Sequence, residues 1–470
     1  MLFNSLDFAI FLPIVFTLYW IVSSKNLHFQ NILIVISSYI FYGWWDWRFL
    51  GLILFSTVID YSLGLLMQSS SSSSRRKYLL WISLFVNLGL LGIFKYYNFF
   101  VEAFIDGFAF FGMPMEARML SIILPVGISF YTFQTLSYTI DIYRGKLKPT
   151  RDFIAFAAFV AFFPQLVAGP IERASHLLPQ FFRQRKFHYS QAVDGMRQIL
   201  WGLFKKMVIA DNCAEYANMI FNNSSDYSGG TLFLGAIFFT FQIYGDFSGY
   251  SDIAIGTARL FGFDLKQNFA FPYFSRDIAE FWRRWHISLS TWFRDYLYIP
   301  LGGSHGGKWM SVRNVFVIFI VSGFWHGANW TFIMWGAINA LFFLPLLLLK
   351  RNRVNINTIG LKMAFTFLLV VFAWIMFRAD SVSQAFYFYT HIFTGELIPT
   401  LFLSKVKLLS VLILSIFIII MLITEWIHRE KLHGLQLGGR KYFNWAYYLF
   451  LLTSIVLFAG RTNDFIYFQF

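Results

Sequence analysis

The sequence predicts an all-α, polytopic integral membrane protein, and its composition supports this fold class in two ways. Of the 470 residues, 57% are hydrophobic and only 13% are charged, which departs far from the composition of a soluble globular domain. The apolar stretches are long and continuous, whereas membrane β-strands alternate apolar and polar residues over short segments. The net charge of +14 comes from basic residues concentrated in loops, as membrane topology predicts, and does not indicate nucleic-acid binding.

About twelve segments are apolar and long enough to cross a hydrocarbon core of about 30 Å, which takes about 20 residues. In chain order, the predicted spans are 8–22, 31–45, 49–67, 78–99, 120–140, 195–210, 231–260, 315–330, 331–349, 363–377, 408–427 and 443–460. The sequence shows no internal repeat among them.

Loop charge sets the predicted orientation of these spans. The basic residues that follow the serine run Ser69–Ser74 place that loop in the cytoplasm. Residues 172–206 carry seven Lys or Arg against two acidic residues, which also favours the cytoplasm. Residues 153–171 then do not cross, and Pro164 interrupts their helix. We predict a re-entrant or interfacial hairpin there, with an ordinary span as the alternative, and both termini outside the cytoplasm.

His326 lies in an apolar stretch, 314–349, that is otherwise uncharged. Ionisable groups at membrane depth are costly, so such a residue indicates a functional site. Counted along a helix from the cytoplasmic Arg313, it lies about 20 Å into the hydrocarbon core. The alternative is a structural histidine, bound by one buried partner or packed between Trp325 and Trp330.

Three neighbours of His326 strengthen the functional interpretation. Gly323 and Gly327 form a small-xxx-small pair, which allows another helix backbone to approach closely. Asn329 follows three residues after the histidine, so in a continuous helix both side chains share one face. We therefore expect Asn329 to bind the imidazole ring or a substrate.

A second histidine, His286, lies in the cytoplasmic and amphipathic segment 259–313. If the chain is helical there, Arg283, His286 and Ser290 lie on one side at spacings of three and four residues. Trp285 and neighbouring tryptophans supply bulk of the kind found at membrane interfaces. The alternative is an interfacial helix whose arginines bind anionic lipid head groups.

Two carboxylates, Asp246 and Asp252, fall within a predicted span. Six residues separate them, so they share no helical face unless the helix breaks near Gly249. Polar contacts between helices are the commoner use of such residues, and catalysis by Asp246 is the less favoured alternative.

Cys213 is the one cysteine, which excludes an intrachain disulfide and a thiolate metal cluster. The sequence has no nucleotide, dinucleotide, HExxH or GxSxG motif, so we predict no metal and no bound cofactor.

These residues occur in motifs that resemble the membrane-bound O-acyltransferase (MBOAT) family, in particular its bacterial alginate O-acetyltransferase-like subgroup. The resemblance covers nearly the whole chain. The matching stretches are Phe3–Phe8, Phe163–Ile171, Tyr244–Asp252, Phe281–Ser290, Tyr296–Gly303, Phe324–Trp330 and Phe465–Phe470.

The resemblance implies the MBOAT fold, a single transmembrane domain around a tunnel that joins the two membrane faces. Residues 1–150 then supply N-terminal helices, 151–350 the catalytic core and 351–470 the remaining helices. His326 is implied to be the catalytic histidine, acting as general base on an attacking hydroxyl. His286 is implied as the second functional position, with Arg283, Trp285, Ser290 and Asn329 binding substrate.

The implied reaction moves an acyl group, with acetyl favoured, from a cytoplasmic thioester to an exported cell-surface polysaccharide. The co-substrate is acetyl-CoA or an acyl carrier, and the implied partner is an extracytoplasmic esterase-like protein. The resemblance favours the cytoplasmic (inner) membrane of a bacterium. D-alanyl transfer to teichoic acid and peptidoglycan O-acetylation use the same motifs and stay open. Outside this class, the alternatives are a transporter or lipid flippase, and a structural assembly subunit with an inactive tunnel.

Overall fold

The computed structural model describes residues 1–22, 26–167, 169–349, 359–399, 405–461, 463 and 465–468. Over these residues the chain forms helices and turns without β-strands, as the sequence predicts. The α-helices are α1 (Leu6–Val22), α2 (Leu27–Asp46), α3 (Leu50–Ser69), α4 (Ser73–Leu91), α5 (Tyr97–Phe110), α6 (Ile128–Tyr143), α7 (Phe153–Ala161), α8 (Phe163–Leu166), α9 (Ala174–Leu177), α10 (Tyr189–Leu203), α11 (Asp211–Asn222), α12 (Gly229–Leu260), α13 (Ile278–Arg284), α14 (Ile287–Phe293), α15 (Lys308–His326), α16 (Trp330–Leu348), α17 (Ile359–Arg378), α18 (Val382–Thr394), α19 (Lys405–Ile427) and α20 (Lys441–Phe458).

Short stretches of other helix types extend several of these elements. Wider π-type turns occupy Gly92–Tyr96, Phe204–Ala210 and Arg294–Tyr298, and tighter 3-10 turns include Trp47–Phe49, Leu178–Phe182 and Ile466–Phe468.

Five helical stretches in the described part of the chain are long and apolar enough to cross a membrane. They are Leu27–Ser69, Ser73–Phe110, Trp330–Leu348, Gly360–Arg378 and Leu408–Ile427. The chain is therefore a multi-pass membrane protein with an all-helical fold. The count of about twelve spans stays a prediction.

The chain folds into two compact units. The first contains Met1–Ala192 and Ala258–Leu265, and the second contains Val193–Thr257 and Lys266–Phe470. Both histidines singled out by the sequence belong to the second unit, whereas Pro164 belongs to the first.

The first unit contains the interrupted apolar segment predicted from Pro164. Helix α7 ends at Ala161, and the short helix α8 begins at Phe163 with Pro164 in its first turn. Both helices are buried inside protein over most of their length, which satisfies the condition for broken helices at membrane depth. The interruption is thus present, while the re-entrant path is still a prediction. Ala168 of this segment lies outside the described residues.

In the second unit, small residues bring helix backbones into direct contact. A side chain at Gly249 of α12 would meet the carbonyl oxygen of Gly202 in α10 at 2.8 Å. Glycine therefore permits an approach that any larger residue would block. Helix α12 is continuous, so Asp246 and Asp252 do point to different partners, as their spacing predicts.

Candidate functional site

His326 is the last residue of α15, which packs as a hairpin against α16. A side chain at Gly323 would overlap the carbonyl oxygen of Phe332, so glycine is what allows the two backbones to touch. This contact fixes the end of α15 and the position of His326 on it. The small-residue prediction is therefore correct in geometry for Gly323.

The prediction for Gly327 and Asn329 assumed a continuous helix and is wrong in that respect. Helix α15 stops at His326, and Gly327 has an extended backbone. Asn329 caps the next helix instead: its side chain accepts a hydrogen bond from the Thr331 amide at 3.0 Å and donates one to the Asp380 carbonyl at 3.3 Å. Asn329 thus shares no helical face with His326.

Aromatic rings surround the buried imidazole of His326. Its ring centroid lies 5.0 Å from that of Trp325, 5.2 Å from Trp335 and 5.3 Å from Phe377. A fourth ring, that of Tyr467, lies 5.5 Å away. These rings bury the histidine in a largely aromatic setting, in which electrostatic effects are stronger than in water.

His286 lies at a break between two short helices, so the predicted stack on one helical face is wrong. Helix α13 ends at Arg284, Trp285 is extended and α14 begins at Ile287. His286 itself has φ = 42°, the left-handed region that few non-glycine residues occupy. Such outliers persist where the surrounding structure holds them, and they cluster at functional sites.

The side chain of Asn268 fixes the orientation of the His286 ring. Its Oδ1 atom lies 3.2 Å from Nδ1 of His286 and accepts a hydrogen bond from the Ser288 hydroxyl at 2.8 Å. The Asn268 amide nitrogen in turn donates to Ser251 at 3.1 Å. Burial lowers the pKa of His286 to about 3, so the ring is neutral at pH 7. Asn268 could not be predicted from the sequence, because nothing in its spacing from His286 pairs the two residues.

The other residues predicted around His286 divide into buried and exposed positions. Trp285 is fully buried and packs 5.0 Å from Trp374, so it is not an interfacial ring. Arg283 is exposed, and the Ser290 hydroxyl donates to the Trp285 carbonyl at 3.4 Å. The roles proposed for Arg283, Trp285 and Ser290 in binding substrate stay predictions.

The ring of Tyr467 contacts the rings of both histidines. Its ring centroid lies 5.5 Å from that of His326 and 6.3 Å from that of His286, and Phe247 of α12 packs against it at 4.4 Å. Tyr467 belongs to the motif 465–470, whose residues carry no predicted function in the sequence. Gln469 and Phe470 of that motif lie outside the described residues.

Asp246 belongs to a buried ion cluster rather than to the rings around the histidines. Its Oδ1 atom lies 2.8 Å from Nζ of Lys206, which is also 2.8 Å from Oδ1 of Asp211. The other oxygen, Oδ2, accepts a hydrogen bond from the Ile466 amide at 2.7 Å. Asp246 thus makes polar contacts between separate parts of the chain, with partners that the sequence did not reveal, and the choice between a structural and a catalytic use stays a prediction.

The chemistry available at this site is proton transfer and hydrogen bonding by two imidazoles and one phenol. Within the described residues, no group of three or more His, Cys, Asp or Glu side chains is arranged to hold a metal ion. An imidazole that lies beside a hydroxyl nucleophile can take its proton as a general base.

Comparison with known proteins shows the family to which the chain belongs. Residues 146–389 match the model of the membrane-bound O-acyltransferase family. The chain is 42% identical to a probable alginate O-acetylase of Azotobacter vinelandii over 84% of this chain and 78% of that protein. The corresponding protein of Pseudomonas aeruginosa is also 42% identical, over 84% of this chain and 75% of its own. A peptidoglycan O-acetyltransferase of Helicobacter pylori is 35% identical over 82% of this chain and 78% of that protein.

The matched family region contains both histidines, and the relatives extend the similarity over most of the chain. The resemblance noted in the motifs is therefore confirmed: the chain belongs to the membrane-bound O-acyltransferase family and is an O-acyltransferase.

Proposed function

We propose that the protein transfers acetyl groups from a cytoplasmic thioester to an exported cell-surface polysaccharide. The observation that carries this proposal is the position of His326, a buried imidazole among aromatic rings in a chain that belongs to an acyltransferase family. The named relatives in Azotobacter and Helicobacter both transfer acetyl, which favours acetyl over D-alanyl. Their acceptors differ, alginate in one and peptidoglycan in the other, so the proposal names the class of polymer and not its sugar.

In the proposed reaction, the acceptor hydroxyl attacks the carbonyl carbon of the thioester. His326 takes the hydroxyl proton, a C–O bond forms, the C–S bond breaks, and the proton passes to the departing thiolate. General base catalysis of this kind typically contributes about 10²- to 10⁴-fold in rate. The remainder comes from holding donor and acceptor together in one site.

The site also needs access from both membrane faces. We propose that about twelve spans enclose a tunnel, with His286 nearer the cytoplasmic side and both termini on the outer face. Acetyl-CoA or an acyl carrier is too large and charged to cross the bilayer, so it donates from the cytoplasm. The acceptor hydroxyl belongs either to the polymer or to an extracytoplasmic esterase-like partner that passes the acetyl group on, and the chain lies in the bacterial inner membrane.

Replacing His326 by alanine tests this function. Cells that express the His326→Ala variant should lose about 10²-fold or more of the base-labile acetate on their exported polymer. The matched control is His305→Ala, since His305 is an exposed histidine in the loop before α15. Wild-type levels of polymer acetate in a stably inserted His326→Ala variant would exclude His326 as the base.

Chemical identification of the released acyl group separates the alternatives. Acetate supports the proposal, whereas D-alanine would place the protein with the teichoic acid enzymes. Unmodified polymer whose export depends on the chain would indicate a transporter instead.

A further inference from the structure

Three charged side chains form a cluster that is almost completely withdrawn from solvent. Lys206 is 1% exposed, and Asp211 and Asp246 are each 3% exposed. The Lys206 ammonium lies 2.8 Å from a carboxylate oxygen of each aspartate. Burying three charges is costly, and ion pairs of this kind often contribute little to net stability, so a structural role alone explains their presence poorly.

The cluster binds the main chain of the 463–468 segment, of which 463 and 465–468 are described. Nζ of Lys206 donates to the carbonyl oxygen of Asn463 at 3.0 Å. The Ile466 amide donates to Oδ2 of Asp246 at 2.7 Å. Two members of one cluster therefore hold the segment at two points three residues apart. Hydrogen bonds to ionised groups are the strong ones, so this is a firm attachment.

The chain just before the segment is attached to the same part of the protein. The Gly460 amide donates to the Met207 carbonyl at 2.9 Å, and the Asn212 side chain donates to the Phe458 carbonyl at 2.9 Å. Met207 and Asn212 flank the lysine and the first aspartate of the cluster. Residues 206–212 thus contact the chain both at 458–460 and at Asn463.

Helix α12 then sets the position of Tyr467 relative to this attachment. Asp246 binds the amide of Ile466, the residue directly before Tyr467. The next residue of the helix, Phe247, packs 4.4 Å from the Tyr467 ring, and Tyr250 packs 4.5 Å from Phe465. Helix α12 therefore carries both one residue of the anchor, Asp246, and the Phe247 ring against which the tyrosine ring packs.

We propose that Lys206, Asp211 and Asp246 are positioning residues, an anchor that holds the 463–468 segment so that Tyr467 stays against His326 and His286. The importance of this anchor for catalysis rests on the proposed acyltransferase function. The attachment of the segment to the anchor does not rest on that function, and the labelling experiment measures it separately.

A second buried cluster in the same region serves as the matched control. Lys205 lies 2.6 Å from Asp252 and donates to Ser248 at 2.9 Å. Asp252 also accepts from Gln198 at 2.7 Å. The partners named here are side chains of α10 and α12 and not the 463–468 segment. Asp252→Ala removes an ion pair that is somewhat less buried than the Lys206–Asp246 pair, and Asp252 has no contact among those named with the 463–468 segment.

Accessibility of residue 466 to a thiol reagent tests the anchor. Cys213 is the one cysteine of the chain and is buried, so Cys213→Ala provides the background for a reporter. In purified full-length protein with Ile466→Cys, we expect slow labelling by N-ethylmaleimide, since Ile466 is buried. Adding Asp246→Ala or Lys206→Ala should raise the labelling rate at least tenfold. Adding Asp252→Ala should change it less than twofold.

A conservative variant and a kinetic readout separate positioning from folding. Asp246→Asn keeps an oxygen that accepts from the Ile466 amide, so labelling should rise less than with Asp246→Ala. With native cysteine and Ile466 restored, Asp246→Ala should lower kcat at least tenfold and change the KM for the donor less than twofold. Size-exclusion profiles identify any variant that fails to fold, and Asp246→Asn then carries the test.

Unchanged labelling in both Asp246→Ala and Asp246→Asn would overturn the anchor. Faster labelling with an unchanged kcat would overturn its role in positioning. A wild-type protein that transfers no acetyl group would overturn the proposed function instead, and the labelling rates would still decide whether the cluster holds the segment.

Discussion

The ring of Tyr467 lies 5.5 Å from the imidazole of His326, although the two residues come from distant parts of the sequence. The same ring lies 6.3 Å from His286, so one tyrosine contacts both histidines that the motifs single out. Because these three residues come from separate segments, we expect the activity of the site to depend on each segment that holds one of them in place.

Removing the phenol hydroxyl of Tyr467 should impair the reaction without disturbing the ring packing. We expect Tyr467→Phe to lower kcat for acetyl transfer by about 10- to 100-fold, because a hydrogen-bonding group beside the proposed base is lost. Thermal stability in detergent should stay near that of the wild type. A variant with wild-type kcat would show that only the ring matters, and Phe465→Leu provides the control for ring packing.

Asn268 should act through His286. Asn268→Ala removes the acceptor of the buried Ser288 hydroxyl and the partner of His286 Nδ1. Loss of one partner of buried polar groups costs about 1–3 kcal/mol of unfolding free energy. We expect a lower melting temperature together with a loss of activity of about tenfold. Equal activity of Asn268→Ala and wild type, measured well below both melting temperatures, would argue against ring orientation as its role.

The hairpin of α15 and α16 should be intolerant of a methyl group at Gly323. In Gly323→Ala the new carbon would overlap the Phe332 carbonyl oxygen, so the helices must move apart. Overpacking typically costs about 1–3 kcal/mol, and backbone contacts cannot relax as side chains do. Melting temperature and activity should both fall. Gly89→Ala is the control, since a side chain at Gly89 would meet no atom within 4 Å.

The pH dependence of stability should reflect the buried state of His286. Its pKa is about 3 in the folded protein because of burial, against an ordinary value of 6.5. The unfolded chain therefore binds a proton between these values and the folded chain does not, so stability is lost as pH falls from about 6.5 towards 3. Melting temperatures measured from pH 7.5 to 4.5 should fall less steeply in His286→Asn. An identical slope in that variant would assign the acid sensitivity to other groups.

The aromatic rings around His326 should limit the size of the acyl group. Trp335 lies 5.2 Å from His326 and stacks on Trp374 at 5.6 Å. Trp335→Leu opens space beside the base, and one methylene in an apolar pocket is worth about 1–3 kcal/mol of selectivity. We expect kcat/KM for a butyryl donor to rise at least tenfold relative to acetyl. An unchanged ratio would place the acyl group elsewhere, and Trp330→Leu, at an exposed ring, is the control.

The sequence predicts the fold class and singles out both histidines as candidate site residues. An ionisable residue in an apolar stretch and a long motif can both be recognised from the local sequence. It predicts their surroundings less well. The helical spacing of its neighbours predicts His286 within a helix, whereas its backbone is left-handed, and both its ring and the Ile287 amide contact Asn268. The pairing of Asp246 with Lys206 and with the Ile466 amide depends on how α12 packs, and no spacing along the chain encodes it. The role of Asn329, in contrast, could be predicted from the sequence, since Asn is a common residue directly before a helix. The assumption of one continuous helix led to a different prediction.

The left-handed backbone of His286 decides how the contribution of its side chain should be measured. Alanine at this position adopts the left-handed backbone less readily than histidine or asparagine, which are among the residues enriched in that conformation. Activity lost in His286→Ala would then mix two causes, a displaced chain and a missing imidazole. Asparagine tolerates the same backbone and removes the ring, so the comparison of His286→Asn with His286→Ala separates the cost of the turn from the value of the side chain.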